Sequence, residues 1–384
     1  MQNSIVASCN KLINYIEKEK YRGYDPYDAL TSSFFKLPVL NSNKFIRFGF
    51  QQLVKRSPID LRPILMIKKG YNPVTLGLCI QGYTNLGEAG MMEQSIVLEK
   101  CNFLISELEK MISKGYHGAC WGYDFPWESR SARIPAFAPT IVATGFITNA
   151  LFLYYKYSKN QKAIELCASA CNFILNDIKR TVMADGSFCF SYSPDDKYQV
   201  LNASMKGVRT LSQVYSVTND LKLISEAQNA VRFVIKNQEI DGSWKYAAGT
   251  TAEWIDNYHT GYVLDCLDEY IKHSGDEEWK SELHKGFEYY RKNFFEDGYK
   301  PKFYNTSRYP LDCTSAGQSI LTLCRFGEIE KALRVANYTI EEMQDKEGYF
   351  YFRKYRYFTE KPSFMRWSNS WMFAALTDLM KNSG

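Results

Sequence analysis

Apolar and polar positions along the chain fall into two kinds of helical segment. The first kind carries an apolar stripe every three to four residues and charge on the opposite face: residues 93–114, 161–180, 221–237, 277–295 and 328–345. The second kind is apolar or small nearly all round: residues 139–157, 201–217, 257–272, 312–326 and 366–381. A helix polar on one face belongs outside and one apolar all round belongs inside. The N-terminal part supplies one more of each. Residues 1–20 read as an amphipathic helix, and Asn72-Pro73 starts a segment with Leu76, Leu78, Ile80, Tyr83 and Leu86. Between them the pattern is looser. It predicts a short helix from Asp25-Pro26 through Phe35, a helix over 44–55 and an apolar piece over 61–66.

The pairs repeat as a two-helix hairpin of roughly fifty to seventy residues. Gly186, Gly242, Gly298 and Gly348 are spaced 56, 56 and 50 residues apart. Each follows an amphipathic helix, where a left-handed C-cap residue is expected. Six outer and six inner helices predict an all-α double ring, an (α/α)6 toroid, as one domain over residues 1–384. An open solenoid would need polar end repeats. The last helix, with Trp367, Trp371, Met372, Phe373 and Leu376, is not polar, so closure is expected.

Composition changes this picture little. Hydrophobic residues are 45% and charged residues 23%, ordinary for a soluble globular chain. A formal charge of +5 without a basic stripe argues against a nucleic-acid partner. Ten cysteines without a CxxC read as buried thiols, and with no apolar signal segment a cytoplasmic location is expected. The most apolar run, residues 141–155, holds Thr144, Gly145, Thr148 and Asn149, so it reads as a buried helix and not a membrane span. Aromatics are high at 15%, with 28 Tyr. They serve the core, and they also offer stacking faces for a cleft.

The long loops all run from an outer helix to the next inner one, while the reverse connections, such as Lys159-Asn160, Thr218-Asn219 and Gly327, are short. The long loops therefore gather over the inner-helix N-termini, where unpaired N–H groups suit an anionic or oxygen-rich ligand. They bring Trp121, Tyr123, Asp124, Trp127, Glu128 and Arg130, then Tyr192, then Trp244, Tyr246, Glu253, Trp254, Asp256, Asn257 and His259, and finally Arg366 and Trp367. Flat aromatic faces with carboxylates, amides and arginines suit a sugar chain. Glycoside hydrolysis would draw its carboxylate pair from Asp124, Glu128, Glu253 and Asp256. A lyase or epimerase would use His259 with Tyr258 or Tyr246 and an Arg for a uronate carboxylate. Structural roles compete: Trp244 as hairpin packing, Asp256 and Asn257 as N-caps, His259 as a core histidine, Arg366-Trp367 as a packed pair. Residues 253–259 have no counterpart in the other loops, and the expected catalytic set is Asp256, His259, Glu253 and Asp124. No HExxH, P-loop, GxGxxG or GxSxG occurs, so no metal and no cofactor is expected.

Gln238-x3-Gly242-x-Trp244 resembles the Gln-Gly-Trp hairpin of terpenoid-cyclase and prenyltransferase toroids, whose catalytic acids and zinc ligands are missing here. Asp25-Pro26-Tyr27-Asp28, Trp121-Gly122-Tyr123, Pro139-Thr140-Ile141-Val142, Asp241-Gly242-Ser243-Trp244, Asp256-Asn257-Tyr258-His259-Thr260-Gly261 and Met365-Arg366-Trp367-Ser368 together cover most of the chain. In that order they resemble a family of six-hairpin proteins met in bacterial polysaccharide biosynthesis loci. The resemblance implies a toroid similar to six-hairpin glycosidases and uronic-acid lyases, acting on exopolysaccharide, capsule or O-antigen. It transfers no catalytic residue. The partners expected are an oligo- or polysaccharide or its lipid-linked intermediate, and glycosyltransferases. Two alternatives stand beside an enzyme: a non-catalytic glycan-binding scaffold and an isoprenoid cyclase relative.

Overall fold

The computed structural model describes residues 2–57, 59–128, 133–249 and 252–383. Its helices are α1 (Gln2–Lys18), α2 (Pro38–Ser42), α3 (Lys44–Arg56), α4 (Pro73–Glu88), α5 (Gln94–Lys110), α6 (Ile141–Ser158), α7 (Gln161–Asn176), α8 (Leu201–Thr218), α9 (Leu221–Lys236), α10 (Asn257–Ser274), α11 (Lys280–Asn293), α12 (Cys313–Arg325), α13 (Ile329–Met343) and α14 (Ser370–Asn382). The even-numbered helices from α4 to α14 form an inner ring in which each packs on the next and α14 returns to α4. Helices α1, α5, α7, α9, α11 and α13 lie outside. The burial follows the sequence pattern: every residue of α8 from Leu201 to Val214 is buried, whereas α9 buries only one stripe. The fold is the expected (α/α)6 toroid.

Polar side chains start the inner helices. Asn72, Thr140, Asp256 and Asp312 each accept backbone N–H groups of the following turn at 2.9–3.0 Å. At the far ends Lys159, Asn219 and Gly275 take left-handed conformations, which turn the chain back within two or three residues. All long loops therefore open on the N-terminal face of the inner ring.

The repeat glycines have positive φ as expected, but not as helix caps. Gly242 and Gly348 sit in a tight turn several residues beyond the helix, between bridge partners Gln238 and Trp244 or Gln344 and Phe350. The turn has a second use. Gln238 Nε2 donates to Glu282 O of α11 at 3.0 Å, and a side chain at Gly242 would strike Lys285 O. Gln344 Nε2 donates to Ser8 O of α1 at 3.1 Å, and a side chain at Gly348 would strike Lys11 O. The sixth hairpin thus docks on the first as the fourth docks on the fifth, which is how the outer ring closes. Inside, Asn85 Nδ2 reaches Thr377 Oγ1 at 3.3 Å beside fully buried Phe373.

The loosely patterned stretch between α1 and α4 forms a cap on the loop face. It has a small core of Ala29, Val54 and Ile67. The expected helix through Phe35 is instead two 3-10 turns, Asp28–Thr31 and Ser33–Lys36. Buried Arg62 pairs with Asp28 at 2.8 Å. Arg47 of α3 pairs with Glu128 at 2.6 Å, and Gln51 holds the Glu128 backbone. Among the described residues no helix is long and apolar enough to cross a membrane.

Candidate functional site

Asp256 is the N-cap of α10, and the residue three positions on, His259, lies beside it for that reason. Asp256 Oδ1 accepts the His259 backbone N–H at 2.9 Å, while Oδ2 stands 2.6 Å from His259 Nδ1 and accepts Trp254 Nε1–H at 3.1 Å. A carboxylate only accepts, so Nδ1 carries a hydrogen, and in the neutral ring the lone pair is then on Nε2. Asp256 is thus both the helix cap and the group that orients the imidazole.

The imidazole is enclosed by tyrosines. Ring centres of Tyr258, Tyr246 and Tyr262 lie 4.3, 4.7 and 5.9 Å away. Exposed Trp254 stacks on Tyr246 at 4.6 Å. Burial, and after it the Asp256 charge, pushes the phenols of Tyr246, Tyr258 and Tyr262 above their ordinary value. These phenols keep their protons and act as hydrogen-bond donors, not bases. Below them Phe146 meets Tyr262 and Trp371 edge-on, each at 5.1 Å. Together with Tyr27, Tyr123, Trp127, Tyr192, Asn202, Arg366 and Trp367 these residues line a cavity of about 220 Å³ at the axis of the ring. Two buried donors in its wall, Asn202 Nδ2 and Trp367 Nε1, have no hydrogen-bond partner among the described residues.

Arg366 and Trp367 stand on a π-helical turn, Met365–Asn369, that leads into α14. Arg366 is not free to fork onto a ligand carboxylate. Its Nε and Nη2 donate to the two oxygens of buried Asp25 at 2.6 and 3.0 Å, and Nη1 reaches Tyr123 Oη at 3.2 Å. The guanidinium lies 4.2 Å from the Tyr123 ring and 4.4 Å from the Trp367 ring. It braces the wall and separates the cavity from a neighbouring one of about 400 Å³, which holds Asp124, Asp25 and Asp28. Burial, then the adjacent Asp25, raises Asp124 to about 7.

The structure divides the expected residues. His259, Tyr123, Trp127, Tyr192, Arg366 and Trp367 line the axial cavity, with Asp256 and Trp254 directly behind His259. Others are elsewhere. Trp121 is fully enclosed and donates to Leu108 O at 2.8 Å; Trp244 is equally enclosed, packs on Gly286 and donates to Val234 O at 3.0 Å. Neither ring presents a face to a ligand. Asn257 is consumed by Tyr290, Ser319 and Lys302 O. Glu253 is exposed beside Lys245, and Glu128 serves Arg47. Arg130 lies outside the described residues. Phe146, Tyr262 and Tyr27 were not singled out from the sequence. Tyr258 and Tyr262 are one turn apart on the same face as the helix start, and that spacing was the available signal. No group of three His, Cys, Asp or Glu is placed to hold a metal among the described residues.

Comparison of the sequence with protein-family models and with curated proteins finds no match. Solved structures do match. The cellobiose 2-epimerase of Bacillus thermoamylovorans aligns over 83% of this chain and 90% of its own, with a TM-score of 0.61 and 11% identity. A GH76 α-mannanase of Bacteroides thetaiotaomicron covers 81% and 86% (TM-score 0.59, 13% identity). An unsaturated glucuronyl hydrolase specific for heparin covers 83% and 88% (TM-score 0.58, 12% identity). At these identities the likeness is one of fold, and the fold they share with this chain is the (α/α)6 toroid.

Proposed function

We propose that the axial cavity binds a saccharide and that His259 moves a proton on a sugar carbon next to a carbonyl, as an epimerase does. The observation that carries this reading is the Asp256–His259 contact of 2.6 Å at the edge of an aromatic cavity. The carbon's proton passes to Nε2, Asp256 steadies the resulting imidazolium, and a tyrosine phenol of the wall donates to the enolate oxygen. The imidazolium returns the proton to the carbon, or a tyrosine phenol supplies one from the other face and its phenolate then takes up the proton that the imidazolium gives back. The tyrosine and tryptophan faces stack on the ring or chain of the sugar. The occupied fork of Arg366 favours a neutral sugar over a uronate. The names of the similar structures, an epimerase and two glycan hydrolases, agree with a saccharide ligand. The resemblance to proteins of polysaccharide loci points to a surface-polysaccharide unit or its lipid-linked intermediate as the substrate, with glycosyltransferases as neighbours.

The test is solvent exchange: incubate the protein in D2O with reducing mono- and disaccharides and follow deuterium at the carbon beside the carbonyl by NMR. Exchange that disappears in His259→Ala supports the reading. Sugar binding without exchange in the wild type would instead leave a glycan-binding scaffold.

Hydrolysis is a second reading, favoured by Asp124. With a value near 7 it carries its proton in about half of the molecules at neutral pH, which leaves a protonated fraction to act as general acid. Release of reducing ends that is lost in Asp124→Asn but kept in His259→Ala would select it.

A further inference from the structure

The opposite end of the ring axis holds a second cavity, of about 290 Å³, at the C-termini of the inner helices. Its charges are unevenly paired. Arg325 takes Asp268 at 2.8 Å, Glu269 at 2.7 Å and Asp265 at 3.7 Å, and Lys381 takes Asp378 at 3.1 Å. Lys206 and Arg209, one turn apart on α8 and 1% and 4% exposed, make no ion pair among the described residues, while the three carboxylates around Arg325 exceed its charge by two. Neither has a carboxylate within 4.0 Å among the described residues. Lys206 Nζ rests only on ring faces, 3.9 Å from Phe146 and 4.1 Å from Tyr262. Arg209 spends Nη2 on Gly145 O at 2.8 Å, and its buried Nε has no partner.

Two like charges side by side, buried and unpaired, are costly in a fold. Burial, opposed by Asp265 and reinforced by Arg209 and Arg325, lowers Lys206 to about 7. The other charged group of the lining, Lys272, stands exposed at the rim and cannot neutralise them.

We propose that this cavity is a binding site for a small oxyanion, a carboxylate or a phosphate monoester, held between Lys206 and Arg209. The site is separate from the His259 cavity and does not depend on the reaction proposed there. The two share Phe146 and Trp371 as a common aromatic floor. An anion that draws Lys206 off the Phe146 and Tyr262 faces therefore acts on the floor of the first cavity.

The experiment is calorimetric titration of the intact protein with inorganic phosphate, glucose 6-phosphate and D-glucuronate. One-to-one binding is expected for at least one probe. Tighter binding of glucose 6-phosphate identifies a phosphate ester, and tighter binding of glucuronate a sugar carboxylate. Arg209→Gln and Lys206→Met are each expected to weaken binding by about tenfold or more, the loss of a charge-assisted contact. At pH 8 the wild type should take up protons on binding, because the anion favours charged Lys206; two buffers of different ionisation heat measure this. The proton uptake stands even if a variant fails to fold. The proposal is overturned if no probe binds the wild type, if binding survives in both variants, or if it proceeds without proton uptake.

Discussion

The two ends of the ring axis are built from the same six helices and share an aromatic floor, yet they differ in kind. The N-terminal end is walled by rings from long loops, and its polar groups, Arg366 with Asp25 and His259 with Asp256, are partnered within the wall. The C-terminal end is closed by short turns and walled by the helices themselves, with two cations unpaired. The difference follows from helix direction and loop length. Helix N-termini offer N–H groups that acidic and amide caps satisfy, and long loops there can carry rings inward. At the C-termini the turns are too short to bring anything in, so chemistry must come from side chains along the helices.

If the first end is the reactive one, His259→Ala should reduce exchange activity by about 10³-fold or more, while Asp256→Asn, which can still cap α10, should cost about 10²–10⁴-fold through the wrong imidazole tautomer. Equal activity of Asp256→Asn and wild type would mean that the carboxylate only caps the helix. Arg366→Gln should lower stability by about 3–5 kcal/mol in denaturant unfolding, because it leaves buried Asp25 without its partner. A neutral result there would show that the wall does not rest on this pair.

At the second end the sign reverses, and removal of a charge should help. The folded value of Lys206 lies below its ordinary one, so its stabilising contribution is present at high pH and is lost as pH falls from about 10.5 to about 7. Lys206→Met should therefore raise stability by roughly 1–3 kcal/mol at pH 6, less any lost ring contact, and the gain should shrink toward pH 10. Thermal melts at the two pH values check it, and a gain that does not change with pH would place its origin in packing. The smallest effect expected is that of Glu253→Ala, which should leave exchange and melting temperature unchanged because the side chain is exposed outside the cavity.

Much of the first end was legible in the sequence. The run from Glu253 to His259 stood apart from the repeated hairpins, and three-residue spacing after a capping aspartate is enough to place a histidine beside it. Its outer members were not separable by the same logic. Glu253 and Asp256 are equally acidic and three residues apart, but only Asp256 is buried at the helix start. Trp244 and Trp254 are alike in type, but only the repeat position of Trp244, facing Gly286 of the next hairpin, shows it to be packing. The second end was silent. Lys206 and Arg209 read as two ordinary charges in a helix of small and apolar residues, and nothing local tells that α6, α10, α12 and α14 enclose them.

Hydrophobic periodicity and turn residues by themselves determined the twelve ring helices, their inner and outer order, the face on which the loops gather and the placing of Asp256 and His259 at the start of an inner helix. These are local properties, set within one or two turns of chain. Tertiary structure alone decided which rings face the axis, that Asp25 occupies Arg366, and that Lys206 and Arg209 make no ion pair. Each of those depends on residues brought together from distant hairpins by ring closure, where burial and the partner across the axis, not the residue's neighbours in sequence, set its charge and its use.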